Sequence, residues 1–350
     1  AILFITHDLG VIAEIADEVL EMYRGEMVEY GPVLEIFAQP RHPYTKGLLA
    51  CRPPLDHQPD RLPVLRDFLE PAEEQRPTKV IARPPITDQA ILQLSHLSVS
   101  YAARGSNFWN KKSKVRAVDQ VDLAIFEGES LGLVGESGSG KTTLGKALLR
   151  LVPSEEGRLL FDNRDLFQLP DKDWRRLQPN FQMIFQDPYA SLNPRKPIGE
   201  ALIEPMQVHG LYGNRRQQEE KAVEVLELVR LEADHLRRLP KAFSGGQRQR
   251  ICIARALALA PRFLICDECV SALDVSIQAE ILNLLADLRD QFQLTLLFIS
   301  HDLSVVRFLC DRIAVMRAGK IVEIGTGEAI LDQPRSAYTR QLIDAIPKGL

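Results

Sequence analysis

The run Gly135-Glu136-Ser137-Gly138-Ser139-Gly140-Lys141-Thr142-Thr143 has the residue types and spacing of a phosphate-binding loop. It follows the apolar stretch Leu131 to Val134 and leads into a segment of helical pattern near Thr142. Gly135, Gly138 and Gly140 allow the backbone to curl, so that the N–H groups of the loop, through Ser137 and Ser139, converge on an anion. The start of the following helix, at Lys141, Thr142 and Thr143, adds partial positive charge. Lys141 would neutralise β and γ phosphates, and the Thr142 hydroxyl would reach Mg²⁺.

A second cluster lies in Phe263-Leu264-Ile265-Cys266-Asp267-Glu268, an apolar run ending in two carboxylates. Beside a phosphate-binding loop, Asp267 can hold Mg²⁺ through water and Glu268 can polarise an attacking water. Acidic strand ends are common, so the meaning of this pair comes from the loop. In Phe243-Ser244-Gly245-Gly246-Gln247-Arg248-Gln249-Arg250 two glycines enter the helical run Ile251 to Leu259. That is either a plain glycine turn or a further phosphate-binding concavity. Cys266 and Cys269 spell C-x-x-C, but they flank Asp267-Glu268 at the end of an apolar strand, which favours packing over metal or redox chemistry.

The elements that must position these groups are of α/β type. Ile91 to Leu94 and Leu97 to Tyr101 read as strand material, and Val121 to Ile125 alternates apolar and polar as a half-exposed strand does. Leu131–Val134, Phe263–Cys266 and Thr295–Ile299 are apolar throughout or nearly so, the pattern of strands buried on both faces of a parallel sheet. Ala222–Leu231 and Ile277–Phe292 have helical spacing.

The chain has 350 residues, room for two modest domains or one large one. A net charge of −4 supplies no global basic field to recruit nucleic acid. No apolar run approaches the ~18 residues of a membrane span. Five scattered cysteines show no disulfide framework, as suits a reducing cytoplasm. The opening Ile2-Leu3-Phe4-Ile5 reads as a buried strand entered abruptly.

An internal repeat accounts for that opening. Displaced by 294 residues, positions 3–50 match 297–344 without a gap at 20 of 48 places. The shared items run from His7-Asp8-Leu9/His301-Asp302-Leu303 through Gly25/Gly319 and Gln39-Pro40-Arg41/Gln333-Pro334-Arg335 to Tyr44-Thr45/Tyr338-Thr339. Residues 1–50 therefore read as the C-terminal remnant of a first copy, and the chain as a fragment of a tandem protein. Residues 51–90 read as an acidic linker in which Pro53, Pro54, Pro59, Pro63, Pro71, Pro77, Pro84 and Pro85 oppose regular structure.

In this order and spacing the motifs resemble the nucleotide-binding domain of ABC transporters. The family's signature L-S-G-G-Q stands here with Phe243 in its first place. The resemblance covers residues 91–350 fully and 1–50 in part. It implies a P-loop NTPase fold: a RecA-like parallel-sheet core, an antiparallel β subdomain and an α-helical signature subdomain at about 187–250. It implies ATP and Mg²⁺ as cofactors, with Thr142, Gln186 and Asp267 at the metal. By the same resemblance Tyr101 stacks on adenine, though Phe108 and Trp109 compete for that place in a basic insertion at 102–117. Gln186 senses both Mg²⁺ and the membrane partner, Ser271-Ala272-Leu273-Asp274 crosses a dimer interface, and His301 joins Glu268 as a catalytic residue at the γ-phosphate. Such domains pair head to tail, so Ser244, Gly245, Gly246 and Gln247 would serve the partner's nucleotide. The first copy retains only His7 of this machinery and is expected to be non-catalytic.

Phe185 to Arg195, Phe243 to Arg255 and the two tails are similar to the peptide-import branch (dipeptide, oligopeptide, glutathione, nickel). Only Cys51 stands where some relatives carry a cysteine cluster, and Cys269 departs from the usual Pro or Ala. The branch implies ATP-driven solute import from the cytoplasmic face of the membrane, as a peripheral subunit. The implied partners are a second ABC domain (the first half or a second copy), two membrane permeases and a periplasmic or extracellular solute-binding protein, with no nucleic acid. A soluble twin-ABC ATPase acting on ribosomes is the alternative, but its relatives have a basic helical linker where this one is acidic and proline-rich. A chromosome or repair ATPase would need a long coiled coil or zinc-binding inserts, and a purely regulatory domain would not retain Lys141, Asp267, Glu268 and His301.

Overall fold

The computed structural model of the chain describes residues 2–6, 8–70, 86–102 and 114–346. His7, Phe108, Trp109 and the prolines 71, 77, 84 and 85 lie outside these residues. The first copy of the repeat comprises α1 (Leu9–Ile15), β1 (Glu18–Tyr23), β2 (Glu26–Pro32), α2 (Val33–Ala38) and α3 (Pro43–Ala50). Asp8 caps α1, accepting from the amides of Gly10 at 2.9 Å and Val11 at 3.2 Å. Arg24 and Gly25, both at positive φ (52° and 87°), form the tight turn that pairs β1 with β2 antiparallel. Glu29 then holds the chain entering α3, accepting from the amides of Arg41 at 2.8 Å and His42 at 3.1 Å.

Residues 51–70 are irregular apart from the short α4 (Arg66–Leu69), as the prolines require. They are nonetheless pinned down. Leu62 and Val64 are buried in the main core. β3 (Ala90–Ala102) and β4 (Lys114–Phe126) follow, then β5 (Ser130–Val134), α5 (Lys141–Leu148), β6 (Glu156–Phe161), β7 (Arg164–Asp165), α6 (Asp171–Leu177) and β8 (Phe181–Ile184). A helical region follows with α7 (Pro188–Ser191), α8 (Ile198–Val208), α9 (Arg215–Leu228) and α10 (Gly245–Leu257). The chain returns to the sheet with β9 (Phe263–Asp267), α11 (Val275–Phe292) and β10 (Thr295–Ile299). The strand material expected at 91–94 and 97–101 forms one strand, β3. It is interrupted by an irregularity beside β4, where His96 adopts φ 52°.

The second copy of the repeat ends the described chain: α12 (Leu303–Leu309), β11 (Arg312–Arg317), β12 (Lys320–Thr326), α13 (Gly327–Asp332) and α14 (Ala337–Asp344). Every bound is that of the first copy displaced by 294 residues. The correspondence extends to the bulge, between Glu21 and Met22 in one copy and Val315 and Met316 in the other. Glu323 also repeats the grip of Glu29, accepting from the amides of Arg335 at 2.8 Å and Ser336 at 3.0 Å.

β12-β11-β5-β10-β9-β8 form one six-stranded sheet, parallel except for β12, and β4-β3-β6-β7 form an antiparallel sheet. All residues of β5, β9 and β10 are buried. Period two sorts them: Leu264, Cys266, Leu296 and Phe298 pack with α10, α11 and α12. Phe263, Ile265, Leu297 and Ile299 face α5 and the antiparallel sheet instead. All five cysteines are buried and outside any disulfide, behaving as small apolar residues. Burial raises the thiol pKa of Cys51 to about 12 and that of Cys252 to about 11, which makes both unreactive.

Ile2 to Ile5 do not form the buried strand expected of them. They are irregular, and Ile2 and Leu3 are 93% and 88% exposed. Their counterparts in β10 are buried because β5 and β9 flank them on both sides. Among the described residues no strand lies beside them as β5 and β9 lie beside β10.

Candidate nucleotide site

The C-terminal ends of four neighbouring parallel strands deliver the site: the glycine loop after β5, Gln186 after β8, Asp267 and Glu268 at the end of β9, and His301 after β10. Gly135, Gly138 and Gly140 all have positive φ (151°, 81° and 108°). A Cβ on Gly135 would lie 2.1 Å from the Met316 carbonyl, and one on Gly140 would lie 2.2 Å from that of Ala117. Gly138 meets nothing within 4 Å, so its backbone conformation alone calls for glycine.

Lys141 is 5% exposed, and its ammonium donates to the carbonyls of Gly135 at 2.7 Å and Glu136 at 2.9 Å. Burial lowers its pKa, against the opposing pull of Glu268 and Asp267. Two of its three donors close the loop upon itself, and the third is available to an anion. The Thr142 hydroxyl donates to Asp267 at 2.9 Å. Burial raises the Asp267 pKa, with the Glu268 charge adding to the effect and the Thr142 bond opposing it. Gln186 donates its amide to Glu268 at 2.8 Å, and His301 Nδ1 lies 4.0 Å from the other Glu268 oxygen. Glu268 itself adopts φ 47°, a left-handed conformation costly for a residue with a Cβ, and its amide donates to Ile299.

Whether ATP and Mg²⁺ suit this site can be judged from its own atoms. Ser139 Oγ is buried without a hydrogen-bond partner, in a loop where Gly135 and Gly140 leave no room for side chains. A hard cation takes oxygen ligands, and the Thr142 hydroxyl and Asp267 carboxylate already stand together. Both features fit a phosphate-bound divalent cation.

Tyr101 lies at the rim, partly exposed, with its hydroxyl 3.5 Å from Thr143 Oγ1. Ser244, Gly245, Gly246 and Gln247 are elsewhere. Ser244 caps α10, and Gln247 returns its side-chain oxygen to the Ser244 amide at 3.0 Å. Gly246 is required by packing, since a Cβ there would lie 2.4 Å from Ile277. Among the described residues no hydrogen bond or ion pair joins these four to the glycine loop.

Two further supports were not read from the sequence. The Glu136 amide of the loop donates to the Tyr338 hydroxyl at 3.1 Å, tying the C-terminal tail to the phosphate site. Its signal was the repeated Tyr44/Tyr338 pair. On the helical side, Arg248 stacks 3.6 Å over the Tyr189 ring, and Arg255 donates to the Ser191 carbonyl, clamping the segment after Gln186 onto α10.

Residues 118–271 match the family model described as ABC transporter. The model for the oligopeptide/dipeptide transporter C-terminal region matches twice, at 28–78 and 322–349, one match in each tail of the repeat. The chain is 47% identical over 353 residues to the glutathione import ATP-binding protein GsiA of Pectobacterium atrosepticum and 46% identical over 351 to that of Escherichia coli strain K12. In both cases the alignment takes in 99% of this chain and 56% of the relative, so the chain spans just over half the length of these proteins. It is also similar to the ATP-binding cassette MJ0796, solved as a dimer in a post-hydrolysis state with ADP and Pi. The TM-score is 0.58 at 27% identity, covering 67% of this chain and 98% of that one.

Proposed function

This chain belongs to the ABC transporter family of ATP-binding proteins, and from that premise we propose that residues 91–350 hydrolyse ATP to drive solute import. The observation that carries the reading is the joining of Lys141, Thr142–Asp267 and Gln186–Glu268–His301 at one edge of the parallel sheet.

The loop amides and Lys141 bind the phosphates, and Tyr101 supports the base from the rim. Thr142, Asp267 and Gln186 would hold Mg²⁺, which when bound shields the charge of the β and γ phosphates. Glu268 orients a water at the γ-phosphate and receives its proton. Gln186 fixes one oxygen of that carboxylate, and His301 stands against the other.

Ser244, Gly245, Gly246 and Gln247 serve a second nucleotide, one held by a partner domain. The repeat supports the first copy as that partner. Tyr338 marks the loop of its own copy through the Glu136 amide. Its counterpart Tyr44 is partly buried on α3, which packs on α11, the helix that follows the Ser271–Asp274 segment. A first-copy loop at the equivalent place would therefore face the second copy head to tail. In this reading the repeat unit at 1–50, the linker at 51–90 and the domain at 91–350 are parts of one tandem ATPase.

The import partners follow from the branch: two membrane permeases, a solute-binding protein outside, and this subunit peripheral on the cytoplasmic face. Among the described residues no helix is long and apolar enough to cross a membrane. A cleft of about 560 Å³ beside Phe185, Ser191 and Arg255 suits a permease segment at the residues that follow Gln186. Glutathione is the first solute to test, being the one named for the relatives.

The test is uptake of labelled glutathione and of dipeptides by cells carrying the whole transporter, with purified-protein ATPase assays alongside. Lys141→Ala is expected to abolish uptake and ATP binding. Glu268→Gln is expected to retain ATP binding and lower turnover by about 10²–10⁴-fold, the contribution of a general base. Turnover at the wild-type rate in Glu268→Gln would sink the assignment.

A further inference from the structure

Where the strap at 51–70 meets α10, three guanidinium groups share two carboxylates, and a fourth, that of Arg66, stands beside them. Asp287 serves both Arg61, at 3.0 Å, and Arg230, at 3.1 Å. Glu280 serves Arg250 at 2.6 Å, and the other amino group of Arg250 donates to the Val229 carbonyl at 3.1 Å. Asp67 accepts from the Val64 amide at 2.8 Å. Arg66, at the start of α4, is exposed and has no ion pair among the described residues. Burial first, then repulsion from Arg250, Arg61 and Arg66, keeps the Arg230 pKa below its usual value despite Asp287. In a chain of net charge −4, this is a local excess of positive charge.

These groups surround a cavity of about 320 Å³ lined by Arg66, Arg230, Leu231, Gln247, Arg250 and Glu280. Gln247 and Arg250 are one turn apart on α10, so both reach it from the same helix face. Because the Gln247 oxygen is committed to the Ser244 amide, its NH₂ group remains as a donor. Several guanidinium forks and an amide donor together can engage the three or four oxygens of a tetrahedral oxyanion, where a carboxylate offers only two.

We propose that this cavity binds a phosphate group, as inorganic phosphate or as the phosphoryl end of a small metabolite, held by Arg66, Arg230, Arg250 and Gln247. No lining residue belongs to the glycine loop, so the site is separate from that of Lys141. Arg66 reaches it only because the strap is docked on α11. An occupant would therefore fasten the strap to the helix that carries Ser244.

Calorimetric titration of the whole chain with inorganic phosphate, and separately with a simple sugar phosphate, tests this. Lys141→Ala is expected to retain a phosphate site that Arg66→Ala weakens by at least about tenfold, the loss of one charge-assisted fork. Binding of the sugar phosphate as well as phosphate identifies a metabolite site, and binding of phosphate alone a free-anion site. Arg66→Glu places a carboxylate among the remaining arginines, so it is expected to abolish phosphate binding and raise the thermal midpoint. Unchanged affinity in Arg66→Ala overturns the proposal, as does loss of all phosphate binding in Lys141→Ala.

Discussion

Asp267 shows how a single residue can favour function at the expense of stability. Burial raises its pKa, so between the unfolded and folded values the folded protein binds more protons. Stability from this group therefore falls as pH rises through that window, and the penalty is complete once pH lies above the folded value. A bound divalent cation is what would offset it. Asp267→Asn keeps an oxygen to accept from Thr142 while removing the buried charge. In Mg²⁺-free buffer at neutral pH it is expected to raise the thermal midpoint, with a gain that shrinks as pH falls through the raised folded value towards the unfolded one. Mg²⁺-dependent turnover should be lost at the same time. Melting curves from pH 4 to 8 check this, and a lower midpoint for Asp267→Asn at neutral pH would contradict it.

At the scale of elements, the strap at 51–70 connects both copies to the helices that follow the site. Asn283 on α11 both accepts from the Leu62 amide, at 3.0 Å, and donates to the Leu62 carbonyl, at 2.8 Å. Gln58 donates to the Phe308 carbonyl at 2.8 Å, and Arg307 of α12 donates to the Asp56 carbonyl at 3.1 Å. Helix α11 follows Ser271–Asp274 and α12 follows His301, so the strap spans the two helices whose starts approach the nucleotide. Asn283→Ala leaves two buried Leu62 backbone groups unpaired and is expected to cost on the order of 2 kcal/mol or more. Leu62→Ala should cost about 2–5 kcal/mol through the cavity it opens. Chemical denaturation measures both, and losses below 0.5 kcal/mol, the range of ordinary surface substitutions, would mean that the strap is not docked.

What was legible at this scale followed from local rules. Burial on both faces marked β5, β9 and β10, and the glycine pattern placed the loop because backbone conformation is written residue by residue. The docking of the strap was not legible, since prolines exclude helix and strand without saying what an irregular segment packs against. Tyr338 and Arg66 were missed for a related reason: each acts through a partner 202 or more positions distant or through a cavity assembled from four segments. The misreading of Ile2 to Ile5 has the same origin, because a run of apolar residues records a capacity for burial and not the presence of neighbours.

Across the whole molecule, the two copies of one unit differ in what covers them. In the second copy Ala314 and Met316 are fully buried, with β11 paired to β5. Their counterparts Leu20 and Met22 are 53% and 56% exposed on β1, and Met27 and Tyr30 are exposed on β2. Among the described residues β1 pairs only with β2, so an apolar face lies beside an unpaired strand edge. Such an edge readily pairs with another chain. This chain is therefore expected to self-associate in a concentration-dependent way, independently of ATP. The head-to-tail pairing proposed for the glycine loop and Ser244 differs in requiring nucleotide, so the two forms of association separate on adding ATP to Glu268→Gln protein. Leu20→Lys with Met22→Lys puts charge on the exposed face, as natural edge strands do, without touching the nucleotide site. Light scattering after size exclusion should then show a monomer without ATP and a nucleotide-dependent dimer with it. Nucleotide-free association that persists in the double lysine variant would place the contact elsewhere on the molecule.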